Sequence, residues 1–202
     1  LFLLFLPAIY LIIPMAKAQE DEEGNDYPIV FIHGAGGFTE DELGGLNYWG
    51  GVNSLLDALR DEGYEVYELK VGPISSIWDR AVEGFYDLKG GEIDYGKAHA
   101  DKYSHKQTTR TLEGKYPEWG ELNEEGRRNK VHIIGHSMGG QTARALVQLL
   151  ANKYDNQGDS KLFTEDLSDW VASVTSISTC HDGTTIVPIA EKLLNEVLGE
   201  LT

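Results

Sequence analysis

Short apolar runs alternate along this chain with longer segments in which apolar residues recur every three or four positions. Runs rich in apolar and β-branched residues occupy 27–32, 64–70, 131–134 and 170–177. Runs of this length, bounded by glycine and polar residues, predict strands, and the first is apolar enough to be buried.

Helical spacing marks three segments between these runs. Its apolar positions are Val52, Leu55, Leu56 and Leu59; Ile77, Ala81, Phe85 and Leu88; and Ala143, Leu146, Val147 and Leu150. They predict a helix over 52–61, a second helix that ends at Gly90, and a third that contains 143–150. Strands that alternate with helices indicate one α/β domain with a mostly parallel sheet and flanking helices.

Residues 92–129 show little periodicity and contain many polar residues and glycines. A long ordered excursion without its own core usually depends on a function or a bound ion. His99 and His105 lie in this segment, and histidine nitrogens are common zinc ligands. On these residues alone, two readings stay open: a pair of solvated histidines, or part of a metal site.

The charge balance limits the partners. Seventeen Lys and Arg stand against 33 Asp and Glu among 202 residues, a net charge of −16. This excess argues against nucleic acid or an anionic membrane surface as a partner. Cys180 is the single cysteine, so the chain cannot form an internal disulfide.

The first residues resemble a secretory signal. Residues 1–13 are almost wholly apolar, but the run is shorter than the roughly 20 residues of a spanning helix. Ala16 and Ala18 then supply small residues at the spacing of a cleavage site. We interpret 1–18 as a signal peptide that lacks its basic beginning, which predicts secretion and no integral span after cleavage; an uncleaved anchor or a buried terminal strand is the alternative.

The segment 135–139 reads Gly-His-Ser-Met-Gly between a predicted strand and a predicted helix. A nucleophilic serine in this context sits on a tight turn, and its small neighbours let the backbone pass. The turn exposes Ser137 and brings the Met138 amide to a helix N-terminus, where an oxyanion can be stabilised. The glycine loop after the first strand offers the Ala35 amide as the second donor, with His33 as a structural residue. An ordinary strand-to-helix turn is the alternative.

Several further segments resemble one family. They read Tyr-Trp-Gly-Gly at 48–51, Lys-Val-Gly-Pro-Ile-Ser-Ser at 70–76, Trp-Asp-Arg-Ala at 78–81, Gly-Gly-Glu-Ile-Asp-Tyr-Gly-Lys-Ala-His at 90–99 and His-Asp-Gly-Thr-Thr at 181–185. Together they resemble the N-terminal part of the secreted zinc-containing triacylglycerol lipases of Gram-positive bacteria, of the thermoalkalophilic bacillus type and the staphylococcal type. The strand-to-helix turn at 135–139, or nucleophile elbow, has Gly135 where the bacillus type has Ala. In this respect it is closer to the staphylococcal type.

The resemblance implies an α/β-hydrolase fold, cut after about its sixth strand, over residues 19–202. It also implies a structural zinc ion held by Asp79, His99 and His105 within an excursion over about 79–129. The fourth zinc ligand and a calcium site are expected beyond residue 202. The family's lid corresponds to a region beginning at about 184–202, and an amphipathic lid suits a substrate at an oil–water interface.

A serine hydrolase of this fold also needs an acid and a histidine base after the serine. His181 alone among the histidines follows Ser137, directly after a strand near the middle of the expected sheet. We therefore reject His181 and Asp182 as base and acid, and expect both beyond residue 202.

The leading hypothesis is a secreted serine ester hydrolase that cleaves triacylglycerols through an acyl-enzyme. We expect these 202 residues alone to be inactive on p-nitrophenyl esters. The alternatives are a catalytically silent, lipase-like binding module, and a phospholipase or acyltransferase with the same elbow.

Overall fold

A computed structural model describes residues 27–185. The predicted signal peptide at 1–18 and the predicted lid from residue 186 onward lie outside the described residues. The strands are β1 (Ile29–Ile32), β2 (Val66–Glu68), β3 (Gly91–Asp94), β4 (Thr108–Leu112), β5 (Val131–His136) and β6 (Val171–Ile177). The helices are α1 (Leu55–Asp61), α2 (Ile77–Lys89), α3 (Lys97–Tyr103), α4 (Met138–Ala151) and α5 (Lys161–Thr164), with a 3₁₀ turn at Ser168–Trp170.

Four strands form the main sheet in the order β2-β1-β5-β6, and each neighbouring pair is parallel. The central strand β1 pairs on both sides, so that Ile29 lies opposite Val66 and His132. The predicted α/β architecture with a parallel sheet is confirmed. Because the carboxyl ends of parallel strands share one edge, the loops after β1, β2 and β5 meet there.

The alternation of side chains along β1 divides the core between two faces. Val30 and Ile32 join a large buried cluster with residues of α2 and α4, whereas Phe31 packs with Trp49 and Leu56 on the opposite face. Both faces of the sheet are therefore covered, which explains the almost continuous apolar run of β1.

Two predicted elements are shorter in the structure. The first helix begins at Leu55 instead of residue 52, because the Ser54 side chain accepts a hydrogen bond from the Asp57 amide and caps the helix. Val52, which the periodicity had assigned to this helix, is 85% exposed. Strand β2 covers 66–68 within the predicted run 64–70.

The weakly periodic segment contains regular structure that the sequence pattern does not predict. Strands β3 and β4 form an antiparallel pair, and α3 lies between them. Most of β4 is exposed, and Ala100 is the buried residue of α3. Elements with so little burial leave no apolar period in the sequence.

Between residues 27 and 185, every helix is too short or too polar to cross a lipid bilayer.

Candidate active site and metal centre

Ser137 occupies a strained turn between β5 and α4. Its φ of 54° and ψ of −123° lie outside the regions that non-glycine residues favour. The Ser137 amide donates to the Ile177 carbonyl at 2.9 Å, which ties the turn to the end of β6. This conformation directs the residue away from both adjoining elements, as a nucleophile elbow requires.

Close backbone contacts explain the glycines around the serine. A Cβ at Gly139 would collide with the Ile32 carbonyl oxygen, and one at Gly135 would lie 2.5 Å from the Gly139 carbonyl. A Cβ at Gly34 would lie 2.8 Å from the Ser137 Cβ. The loop after β1 therefore approaches the serine as closely as the backbone allows.

The two predicted oxyanion donors flank Ser137. Met138 is the first residue of α4, so its amide belongs to the positive end of a 14-residue helix. Ala35 follows Gly34 in the loop that contacts Ser137. Among the hydrogen bonds of residues 27–185, neither amide donates to an acceptor. Within these residues, both N–H groups therefore lack a protein acceptor.

Tyr48 links the glycine loop to the elbow. The Gly34 amide donates to the Tyr48 hydroxyl oxygen at 2.9 Å, and that hydroxyl lies 2.5 Å from His136 Nδ1. Because the oxygen accepts from Gly34, its own proton is free to go to His136. Sequence reasoning missed this role: Tyr48 and His136 lie in two separate motifs, 88 positions apart.

His33, the residue before this loop, is fully buried. Its Nδ1 lies 2.9 Å from the Gly34 carbonyl, and burial lowers the pKa of the imidazole. A buried histidine that bonds its own loop matches the structural role expected for it.

His181 is held by other partners. Arg144 lies 3.1 Å from His181 Nδ1, and Ser176 Oγ lies 3.0 Å from Nε2. Since arginine only donates, Nδ1 accepts and Nε2 carries the proton that goes to Ser176. In the described part of the chain, no histidine forms a hydrogen bond to Ser137 Oγ.

Asp79, His99 and His105 come together at a second place. One ligand atom from each residue lies within 4.8 Å of the others. His99 Nε2 is 2.9 Å from Asp79 Oδ1, and His105 Nε2 is 3.9 Å from the same oxygen. Two imidazoles and a carboxylate that converge on one point could hold a metal ion.

The surroundings orient both imidazoles. Trp78 stacks on His99 with ring centroids 5.0 Å apart, and His105 Nδ1 lies 2.9 Å from the Lys106 carbonyl. Because Nδ1 donates to that carbonyl, Nε2 is the His105 nitrogen that faces Asp79 and can serve as a metal ligand. Burial also lowers the pKa of His99, which favours the neutral form that binds metals. The donor set therefore fits a divalent transition metal.

Comparisons with known proteins show the family and the fold of this chain. The family model of the lipase-like C-terminal domain matches residues 25–198. Lipase 2 of Staphylococcus aureus is 41% identical over 179 residues, which cover 83% of this chain and 25% of that protein.

Two solved structures are similar along most of the chain. Lipase 1 from Pelosinus fermentans gives a TM-score of 0.78 at 46% identity, covering 82% of this chain and 44% of that chain. The crystal structure of Staphylococcus hyicus lipase gives a TM-score of 0.72 at 38% identity, with 86% and 49% covered. The predicted α/β-hydrolase fold and the resemblance to staphylococcal lipases are confirmed. The chain spans about a quarter of the staphylococcal Lipase 2 and under half of either solved chain.

Proposed function

This chain belongs to the lipase-like C-terminal domain family, and from that premise we propose that its protein is a secreted lipase. Its substrates are triacylglycerols, whose carboxylic ester bonds it hydrolyses at an oil–water interface. The observation that carries the proposal is the turn at Ser137, with φ 54°, together with two backbone amides, of Ala35 and Met138, that donate to no acceptor within residues 27–185. Such a turn costs free energy, and ester hydrolysis gives a reason to keep it.

In the proposed reaction, Ser137 Oγ attacks the ester carbonyl and forms a tetrahedral intermediate. The amides of Ala35 and Met138 donate to its oxyanion. Collapse releases the alcohol and leaves an acyl-serine, which water hydrolyses to the fatty acid. A histidine supplied from outside the described residues takes the serine proton and passes it to the oxygen of the leaving alcohol, and an Asp or Glu orients that histidine.

The metal in this proposal is zinc, held by Asp79, His99 and His105. Zinc prefers four ligands in a structural site, so a fourth ligand comes from another part of the protein. When bound, the ion cross-links the N-terminus of α2 to the segment around α3 and supplies no reactive group. His99 and His105 then help to position an excursion whose strand β4 is mostly exposed and which reaches the main core through residues such as Ile93 and Trp119.

The test uses the full-length protein on emulsified triacylglycerol. Replacing Ser137→Ala removes the nucleophile and should lower kcat by about 10⁴-fold or more. Ser173→Ala is the matched control, because Ser173 lies on β6 and bonds His132 at 2.6 Å. The control should keep the parent rate. Equal rates for Ser137→Ala and the parent would reject the hydrolase, as would a parent protein without any esterase activity.

A further inference from the structure

Arg80 is a completely buried arginine beside the proposed active site. It lies in the first turns of α2 and has no exposed surface. Its guanidinium donates to three neutral acceptors: the His33 carbonyl, the Gly72 carbonyl, and Thr142 Oγ1 at 3.0 Å. A buried arginine normally meets a carboxylate, so three neutral partners are unusual.

The charge of Arg80 is not neutralised locally. In the part of the chain that the structure describes, no carboxylate forms an ion pair with it. The charge of Glu83 acts on Arg80, but the Glu83 carboxylate accepts from the Gly72 amide at 2.6 Å and from Tyr95 Oη at 3.0 Å. Burial lowers the pKa of Arg80 to about 10, which still leaves the side chain protonated at neutral pH.

Two of the three acceptors, the His33 carbonyl and Thr142, belong to the elements that carry the oxyanion donors. The His33 carbonyl immediately precedes Gly34 and Ala35. Thr142 lies one turn into α4, and its hydroxyl donates to the Met138 carbonyl at 3.0 Å. One planar guanidinium therefore spans the glycine loop and the first turn of the nucleophile helix. The N–H donors of the guanidinium lie in one plane at fixed angles. They therefore hold the glycine loop and the start of α4 at a set separation.

We propose that Arg80 is a positioning residue that sets the spacing of the Ala35 and Met138 amides, through the His33 carbonyl and Thr142, and holds a buried positive charge against the two elements that carry them. This inference rests on the proposed function. Donors that are fixed before the reaction need no reorganisation as negative charge develops, and a small misplacement is expensive. The buried charge then favours the transition state over the neutral ester.

The test compares two substitutions at Thr142 in the full-length protein. Thr142→Val keeps the shape of the side chain but removes the hydroxyl, whereas Thr142→Ser keeps the hydroxyl. Thr142→Val should lower kcat by about tenfold, the range for losing a hydrogen bond to a charged group, and Thr142→Ser should restore most of it. Arg80→Lys keeps the charge but loses the fork, and should lower kcat by about 10²-fold.

Three further readouts separate positioning from a general loss of stability. Affinity for a boronic acid, which forms a tetrahedral adduct on the serine, should fall with kcat. KM and the affinity for a non-hydrolysable ether lipid should stay at the parent level. Metal content is measured as well, because Arg80 adjoins the proposed ligand Asp79. It should stay at the parent level. Arg128→Met is the control: Arg128 bonds the Gly120 carbonyl at 2.6 Å in another part of the fold, and its loss should leave kcat unchanged.

Parent-like kcat and boronate affinity in Thr142→Val and Arg80→Lys would overturn the proposal, whatever their melting temperatures. So would a fall in ether-lipid affinity equal to the fall in boronate affinity. Failure of the proposed function has a different signature, since Ser137→Ala would then retain activity. If Arg80→Lys does not fold, the Thr142 pair decides the outcome alone.

Discussion

The turn at Ser137 is built from backbone contacts close to the serine, whereas the cluster of Asp79, His99 and His105 joins side chains from two separate segments, the start of α2 and the segment around α3. At the turn, Gly139 touches the Ile32 carbonyl, and any side chain there would clash. At the cluster, the close approach is between side-chain atoms, with one ligand atom of each residue within 4.8 Å of the others. A backbone-built site is rigid before any ligand arrives, while a site made of side chains needs its ion to hold it together.

The strongest test of this contrast is Gly139→Ala. The new Cβ would meet the Ile32 carbonyl oxygen, a backbone atom that cannot move without shifting β1. We expect ester hydrolysis to fall by about 10²-fold or more, because displacement of the turn misplaces the nucleophile. Measurement of kcat, together with zinc content, should show lost activity with metal binding retained.

Gly84→Ala is the matched control for this substitution. A Cβ at Gly84 would lie 3.1 Å from the Leu69 Cδ1 and 3.6 Å from the Val71 Cγ1, both of which are side-chain atoms. Gly84 lies inside α2, where alanine is favoured by about 0.5–1 kcal/mol. This variant should keep its activity. If Gly139→Ala behaved like Gly84→Ala, the turn would not be built on backbone contact.

At the cluster of Asp79, His99 and His105, His99→Ala should lower metal binding and thermal stability. This effect should be smaller than that of Gly139→Ala and larger than that of Tyr48→Phe. The substitution removes one of three ligands, so zinc should be lost on dialysis and the melting temperature should fall by several degrees. Calorimetry with and without a chelator measures this directly: the parent should lose stability on chelation, and His99→Ala should not.

His132→Ala provides the comparison for His99→Ala, because His132 lies on β5 and bonds Ser173 instead of the cluster. Chelation should destabilise it as much as the parent. A parent protein without zinc by elemental analysis would rule out the metal centre, and an equal response of both histidine variants would argue against His99 as a ligand.

The smallest expected effect belongs to Tyr48→Phe. Loss of the hydroxyl leaves the Gly34 amide and His136 Nδ1 without their partner. A lost hydrogen bond of this kind is worth about 1 kcal/mol, so kcat should fall by about fivefold to tenfold. Tyr67→Phe is the control, because the Tyr67 hydroxyl bonds Glu65 at the surface. Equal activities of the two variants would show that Tyr48 does not hold the glycine loop.

The same contrast explains which features the sequence predicts. Three features depend only on residues close together in the sequence: the apolar run of β1, the helical period of α2 and the motif at 135–139. The structure contains all three. Backbone geometry at a tight turn restricts the residues allowed there, so the restriction is visible in a few consecutive letters.

Other features depend on contacts between distant segments. Tyr48 meets His136 across 88 positions, and Arg80 meets Thr142 across 62. The sequence does not show which residues Tyr48 and Arg80 contact, because tyrosine and arginine are also ordinary surface residues. The strands β3 and β4 were not predicted for a related reason. Hydrophobic periodicity detects strands through their buried apolar residues, and these two strands bury little apolar surface.

The most direct test of the central claim is covalent labelling of the nucleophile. A fluorophosphonate reacts with an activated serine, and mass spectrometry of the digested full-length protein locates the adduct. We predict one adduct on Ser137, formed in step with the loss of ester hydrolysis and absent from Ser137→Ala. An active protein that carries its adduct on another serine would contradict the account, as would full inhibition with Ser137 unmodified.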